Sequence, residues 1–341
     1  MKNSMSRMLV ELVIKNALKN IKDNPERGIR NLADMALQFS EGGFQKNFLT
    51  DIQTMLQNEN SAYYELARRI ISYTDTDRLY TFGMNAGYNG CNAGAQCIRE
   101  NEMKLNCLIP WTVIFQIDSK HFDANRQRYQ AILGEGEKLG IYVWMLFAMN
   151  QPQMLLSLAR DYPDSAFCIF CSSDDLKDDF LNEAADLHNI MPVVLYDNNM
   201  ADTCRVLQER GFLYSAWYLY GQTDTEQILN GNLFENMQQP DPAFAVLVPK
   251  PGCPEKVHEL VYRTVKEIRS SQTYPAIPYE LPGDNNLINS IISDISNAPC
   301  SICFDANGNL WEQCRKTEDS RHNLFQDNLP EILRNVCPKK A

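Results

Sequence analysis

From residue 79 onward, apolar runs of strand length alternate with amphipathic stretches of helix length, and this limits the possible folds more than any other feature. The runs are "LYTFGMN" (79–85), "IPWTVIFQI" (109–117), "IYVWMLFAM" (141–149), "AFCIFCS" (166–172), "MPVVLYD" (191–197), "LYSAWYLYG" (213–221) and "AFAVLVP" (243–249). Their apolar residues are nearly continuous, as in strands buried on both faces. "RQRYQAILGEGEKLG" and "LKDDFLNEAADLHN" lie between them as helix candidates. Such strands separated by helices form a parallel sheet covered on both faces. Six or seven units in succession predict an α/β fold, a (β/α) barrel or partial barrel, with a doubly wound open sheet as the alternative. In either, chemistry belongs at the carboxyl ends of the strands.

The flanks differ in texture. Residues 1–77 read as a helical N-terminal cap, beginning with Met8, Leu9, Leu12, Val13 and Leu18 at helical spacing. Asn24 is placed to cap a helix that starts at Pro25, where a missing N–H costs nothing. "SEGGF" (40–44) breaks the pattern, and amphipathic stretches follow over 48–56 and 62–71. Residues 78–297 form the expected barrel and 298–341 a small C-terminal module. In that module Asn307-Gly308 suits a hairpin turn, and a helix is predicted through "LPEILRNV".

With 341 residues, 44% of them hydrophobic, the chain can bury a large core. The net charge of -11 argues against a phosphate backbone or an anionic membrane as partner. Nowhere do about 18 apolar residues run together. Glu11 and Lys15 interrupt the only N-terminal stretch that could pass for an export signal, so a cytoplasmic protein is expected.

Eleven cysteines are many for such a chain. In a reducing compartment they are buried hydrophobes, metal ligands or redox groups rather than disulfides. "GYNGCNAGAQC" (87–97) follows the first run, which places it at the functional end of the sheet. It could turn the chain, cradle a phosphate or hold a metal. No Lys-Ser/Thr pair follows its glycines, which removes the phosphate loop. Cys91 and Cys97 are candidate metal ligands, whereas Cys107 lies about a dozen helical residues on, roughly 18 Å away. At the other end of the chain Cys300 and Cys303 form a C-x-x-C. The hairpin brings Cys314 near, and Cys337 follows the helix. Four thiolates suffice for zinc or an iron–sulfur cluster; two buried and two surface thiols are the plainer alternative.

A first strand, a Cys-Asn loop and a helix together resemble the radical S-adenosylmethionine (radical SAM) superfamily. The resemblance covers 79–341 in layout. It implies a partial (β/α) barrel whose first loop carries Cys-x3-Cys-x2-Cys, a [4Fe–4S] cluster and S-adenosylmethionine. "CSICFDANGNLWEQC" (300–314) with "LFQDNLPEILRNVC" is similar to the superfamily's SPASM-type extensions, which hold auxiliary clusters. Zinc is the alternative at those cysteines. The motif departs from the pattern: counted from Cys91, the next thiols belong at 95 and 98, which are Ala95 and Ile98. The second run ends "QIDS" (116–119) where the superfamily has Gly-Gly-Glu. The resemblance implies radical chemistry on a peptide or small molecule. A catalytically silent barrel acting as a binding or regulatory partner, or an unrelated barrel enzyme, are the other readings.

Candidate cofactor-binding residues stand at the ends of the runs: Asn85, Asp118, Ser173, Asp174 and Asp197, with Asn198, Tyr220 and Gln222 as further contacts. Helix capping alone also accounts for Ser173 and Asp174. Among the four histidines only His121, just past the second run, is placed for function. No Gly-x-Ser-x-Gly or His-Glu-x-x-His is present.

Overall fold

The computed structural model describes residues 24–38, 43–295, 300–312, 315–316 and 322–339, together with 11, 12, 14–16, 18 and 21. Six of the apolar runs are strands: β1 (Thr112–Ile117), β2 (Val143–Ala148), β3 (Ala166–Cys171), β4 (Ile190–Leu195), β5 (Ser215–Tyr220) and β6 (Phe244–Pro249). A short β7 (Ile277–Glu280) follows, and all seven pair in parallel in chain order. Pro278 is tolerated because β7 is the edge of the sheet. The sheet curls into a partial barrel. Register puts Met145, Cys168 and Met191 in one row on its concave face. Phe115 stacks on Trp144 on the convex face.

The first run, 79–85, is not a strand. It lies in α4 (Thr76–Gly83), which continues as a π-helical segment, Met84–Ala93, and then as α5 (Gly94–Leu105). Asp75 starts this helix by accepting the N–H groups of Asp77 (2.9 Å) and Arg78 (3.0 Å). Its buried residues Arg78, Phe82, Asn85 and Asn89 recur every three or four positions, which is one helical face. That face lies across the amino ends of the strands. Asn85 donates to the carbonyls of Pro163 (2.8 Å) and Ser165 (3.0 Å) just ahead of β3, and Asn89 to that of Asp164 (2.8 Å). Arg78 donates to the carbonyls of Leu187 (2.6 Å) and Ala184 (3.1 Å), and to that of Ala185, ahead of β4. "GYNGCNAGAQC" is therefore helical and sits at the end of the barrel opposite the one its position in the sequence suggests.

Asn24 caps α1 (Pro25–Gln38) as expected, accepting the N–H of Arg27 at 3.0 Å. The later stretches form α2 (Gly43–Met55) and α3 (Ala62–Tyr73). The expected helix around Met8 to Leu18 falls largely outside the described residues, as does part of "SEGGF". Next come α6 (Ser119–Leu139), ended by Gly140 at φ 104°, and α7 (Glu255–Ser271). The stretch "LKDDFLNEAADLHN" yields only a short helix, Asp178–Glu183. In α8 (Leu281–Ser293), which runs from β7 to the amino end of β1, Asn285 accepts from Trp111 Nε1 (3.1 Å) and Tyr279 Oη (2.6 Å). Asn289 accepts the Trp111 N–H at 2.8 Å.

The hairpin is present and joins the main sheet. β8 (Ile302–Phe304) pairs in parallel with β1 and antiparallel with β9 (Leu310–Glu312), which leads to β10 (Arg315–Lys316). Gly308 turns the chain at φ 79°. The predicted helix is α9 (Leu329–Val336).

Contrary to the expectation of thiols alone, Cys300 and Cys337 form a disulfide with Cα atoms 5.9 Å apart. Leu108 N–H donates to the Cys337 carbonyl at 2.7 Å, and Cys107 forms a β-bridge with Pro338. These bonds hold the end of α9 against the amino end of β1, beside the point where Cys300 enters β8. The chain-entropy estimate for the 37-residue separation is about 4 kcal/mol. We expect Cys337→Ser, and the wild type under reductant, to lose about that much in urea unfolding. Equal stability with and without the link would show that it adds nothing.

Candidate functional site

The carboxyl ends of the strands carry a polar rim that each strand-to-helix turn builds locally. After β1, Asp118 caps α6, accepting the His121 N–H at 2.8 Å and meeting its Nδ1 at 2.7 Å. Burial pushes the Asp118 carboxyl up, but the bonds from His121 outweigh this and hold it below its ordinary value. The His121 side chain stays 32% exposed. Asn125 leaves helical geometry (φ -125°, ψ 18°) and donates to the His121 carbonyl at 3.0 Å, so the first turn of α6 is set off by a kink.

After β3 and β4, three predicted residues converge. Ser173 Oγ donates to Asp197 at 2.8 Å, and so does the Asn199 N–H. Asn199 Nδ2 donates to Asp174 at 3.2 Å. Ser172 precedes the 3-10 turn Ser173–Asp175 and donates to Asp175 at 2.7 Å. After β5, Asp224 accepts from Gly221 N–H and Tyr218 Oη, each at 2.8 Å, and pairs with Lys250 at 3.0 Å. Burial raises its pKa, but Lys250, Tyr218 and Gly221 together lower it below the ordinary value. Gln222 is exposed beside it.

Other predicted residues lie elsewhere. Tyr220 is buried, its hydroxyl donating to Glu280 at 3.0 Å. Asn85 is buried against backbone at the amino end of β3.

On the concave face the strands carry an aromatic cluster that the sequence reading missed. Phe147 and Phe170 stack with centroids 4.1 Å apart, and Trp217 meets them edge-on at 5.4 and 5.8 Å. Phe147 and Trp217 remain partly exposed. Both faces of these strands are apolar, so no pattern in the sequence separates the concave residues from the convex ones.

A cluster-binding site needs converging thiolates, and the thiols of the described residues fail that test. The segment after β1, Asp118 with the first turns of α6 to residue 126, contains no cysteine. Cys91 and Cys97 lie at the amino end of the barrel. Burial pushes the Cys91 thiol up to about 11. It raises Cys97 too, with Glu100 adding to the effect; the Cys97 Sγ donates to the Lys138 carbonyl at 3.5 Å. Cys300 and Cys337 are consumed by the disulfide. Cys303 lies in β8, on the row of Ile114, about 10 Å along an extended chain from Cys300. Cys314 lies outside the described residues. Among the described residues no three His, Cys, Asp or Glu side chains converge in a metal-holding arrangement. Neutral, scattered thiols do not fit a cluster held by three thiolates.

No family model and no curated protein matches the chain. Solved structures do. SuiB of Streptococcus suis bound to the precursor peptide SuiA aligns with TM-score 0.50 and 12% identity, over 71% of this chain and 68% of that one. SuiB bound to S-adenosylmethionine aligns with TM-score 0.49 and 11% identity over 71% and 67%, and SuiB alone with 0.48 and 11% over 85% and 76%. At such identity the likeness is one of fold alone: the chain shares a partial (β/α) barrel with SuiB. No helix among the described residues is long and apolar enough to cross a membrane.

Proposed function

We propose that this radical-SAM-type barrel works without a cluster, as a peptide-binding module whose mouth seats an aromatic residue flanked by basic ones. The observation that carries it is the composition of the strand ends: 118–126 holds no cysteine, Asp118, Asp174 and Asp197 follow β1, β3 and β4, and the strands between and beside them carry the stacked Phe147, Phe170 and Trp217. A flat apolar floor with a polar rim is the arrangement of a binding hot spot. The carboxylates and the net charge of -11 select a cationic partner. The SuiB structure with its precursor peptide supports a peptide as the class of ligand. No radical step is assigned, because no residue set among the described residues fits the cluster that would begin one.

The test has two arms. Protein purified without oxygen should contain only traces of iron, sulfide and zinc. Labelled random peptides built from Lys, Phe and Leu should then bind by fluorescence anisotropy more tightly at low than at high salt, and a Glu, Phe and Leu set should not. Trp217→Ala should weaken binding about 30-fold, the expected loss for a central aromatic anchor. Stoichiometric iron lost on Cys91→Ala, or equal binding of both peptide sets, would end the proposal.

A further inference from the structure

Beneath the aromatic floor the barrel is not filled. A cavity of about 120 Å³ remains between the concave face and the helix at the amino end. Val143 and Met145 of β2, Cys168 and Phe170 of β3, and Met191 and Val193 of β4 form one side. Phe82 and Ala86 of the α4–π helix, with Trp111 and Leu281, form the other. No polar atom faces this space. Two lining residues have polar groups, and both turn them away: Trp111 Nε1 and Tyr279 Oη each donate to Asn285. The Cys168 thiol is held neutral by burial, which pushes it up to about 12. Water needs several polar partners to settle in a cavity, and this one offers none. The space is partly open to the outside, and an apolar space of this order can seat a benzene-sized molecule. Phe170 belongs both to the cavity wall and to the aromatic cluster with Phe147.

We propose that this lumen is a binding site for one small uncharged apolar ring of benzene to toluene size. The site uses none of the carboxylates of the rim and shares only Phe170 with the aromatic floor. Met145 and Met191 line it and provide built-in reporters. The full chain, labelled with ¹³C at the methionine methyls, would be titrated with toluene. Benzoate and benzylamine serve as charged controls of the same shape.

Toluene should give nuclear Overhauser contacts to the Met145 and Met191 methyls, and none to exposed Met103 and Met149. It should raise the Tm by about 2 °C near saturation. Cys168→Met, which fills the cavity, should abolish both effects. Should that variant not fold, Val193→Ile adds a single methylene and should weaken binding about tenfold. Absence of contacts to Met145 and Met191 at saturating toluene would overturn the proposal. So would contacts that persist unchanged in the filled variants, or equal binding of benzoate.

Discussion

Arg269→Ala should lose about 3–5 kcal/mol of folding stability, the cost of leaving a buried carboxylate without its partner. Asp284 is 1% exposed, and Arg269 Nη2 sits 2.8 Å from both of its oxygens. The Glu280 N–H also donates to that carboxylate, at 2.7 Å. This is the first turn of α8, where Glu280 caps the helix by accepting the Gly283 N–H at 2.7 Å, so losing the pair unsettles the helix that crosses to β1. Burial already holds the Asp284 pKa above its ordinary value, with Arg269 pulling the other way. A carboxyl whose folded pKa exceeds its unfolded one favours folding at low pH, and loses that contribution as pH rises through the folded value. Removing Arg269 raises the folded value further. The deficit of Arg269→Ala should therefore be largest at neutral pH and shrink on acidification. Adding Asp284→Asn should recover most of it, because a neutral amide needs no counter-charge. Urea unfolding of the two single variants and the double variant across this pH range measures it. A deficit that grew on acidification, or a double variant as weak as Arg269→Ala, would refute the account.

Much of the architecture was legible because the parallel strands are buried on both faces and stand out as apolar runs. β3, "AFCIFC", is buried at every position. The Asn24 cap, Gly140 at the end of α6 and the Asn307-Gly308 turn were legible because each follows from local backbone chemistry. The first run misled because an apolar segment of seven residues fits strand or helix equally well. The deciding cues were the Asp75 cap ahead of it and the buried spacing of Arg78, Phe82, Asn85 and Asn89, which runs through and beyond it. That one misassignment moved "GYNGCNAGAQC" from one end of the barrel to the other. Cys300 and Cys303 misled for a related reason. C-x-x-C brings thiols together in a turn, but here the chain leads from Cys300 into β8, and Cys300 pairs with Cys337 instead. Asp118, Ser173, Asp174 and Asp197 were placed at the mouth because strand ends were readable. The floor of Phe147, Phe170 and Trp217 was not, since curvature decides which face is concave.

The glycines of that first segment, legible only as a possible turn, should separate sharply on substitution. Gly87 is exposed and helical, and a Cβ there would meet nothing within 4 Å. Gly87→Ala should stabilise by about 0.5–1 kcal/mol through reduced freedom of the unfolded helix segment. Gly94 is the opposite case. Its Cβ would stand 2.3 Å from the Asn89 carbonyl oxygen and 2.5 Å from that of Gly140, both backbone atoms with no flexible end to yield. The contact is mutual, because a Cβ on Gly140 would lie 2.5 Å from the Gly94 oxygen, at a φ of 104°. The start of α5 and the end of α6 thus pack backbone to backbone, and this contact holds the helix against the amino end of β2. Gly94→Ala should cost about 4 kcal/mol or more, the range reached when a core cannot relax around added volume. Gly140→Ala should cost at least as much, since it adds a left-handed φ to the same clash. Both should lower the urea midpoint with little change in m, while Gly87→Ala raises it. If Gly94→Ala proved as stable as Gly87→Ala, the two helices would not meet as described, and the closed amino end of the barrel would lose its support.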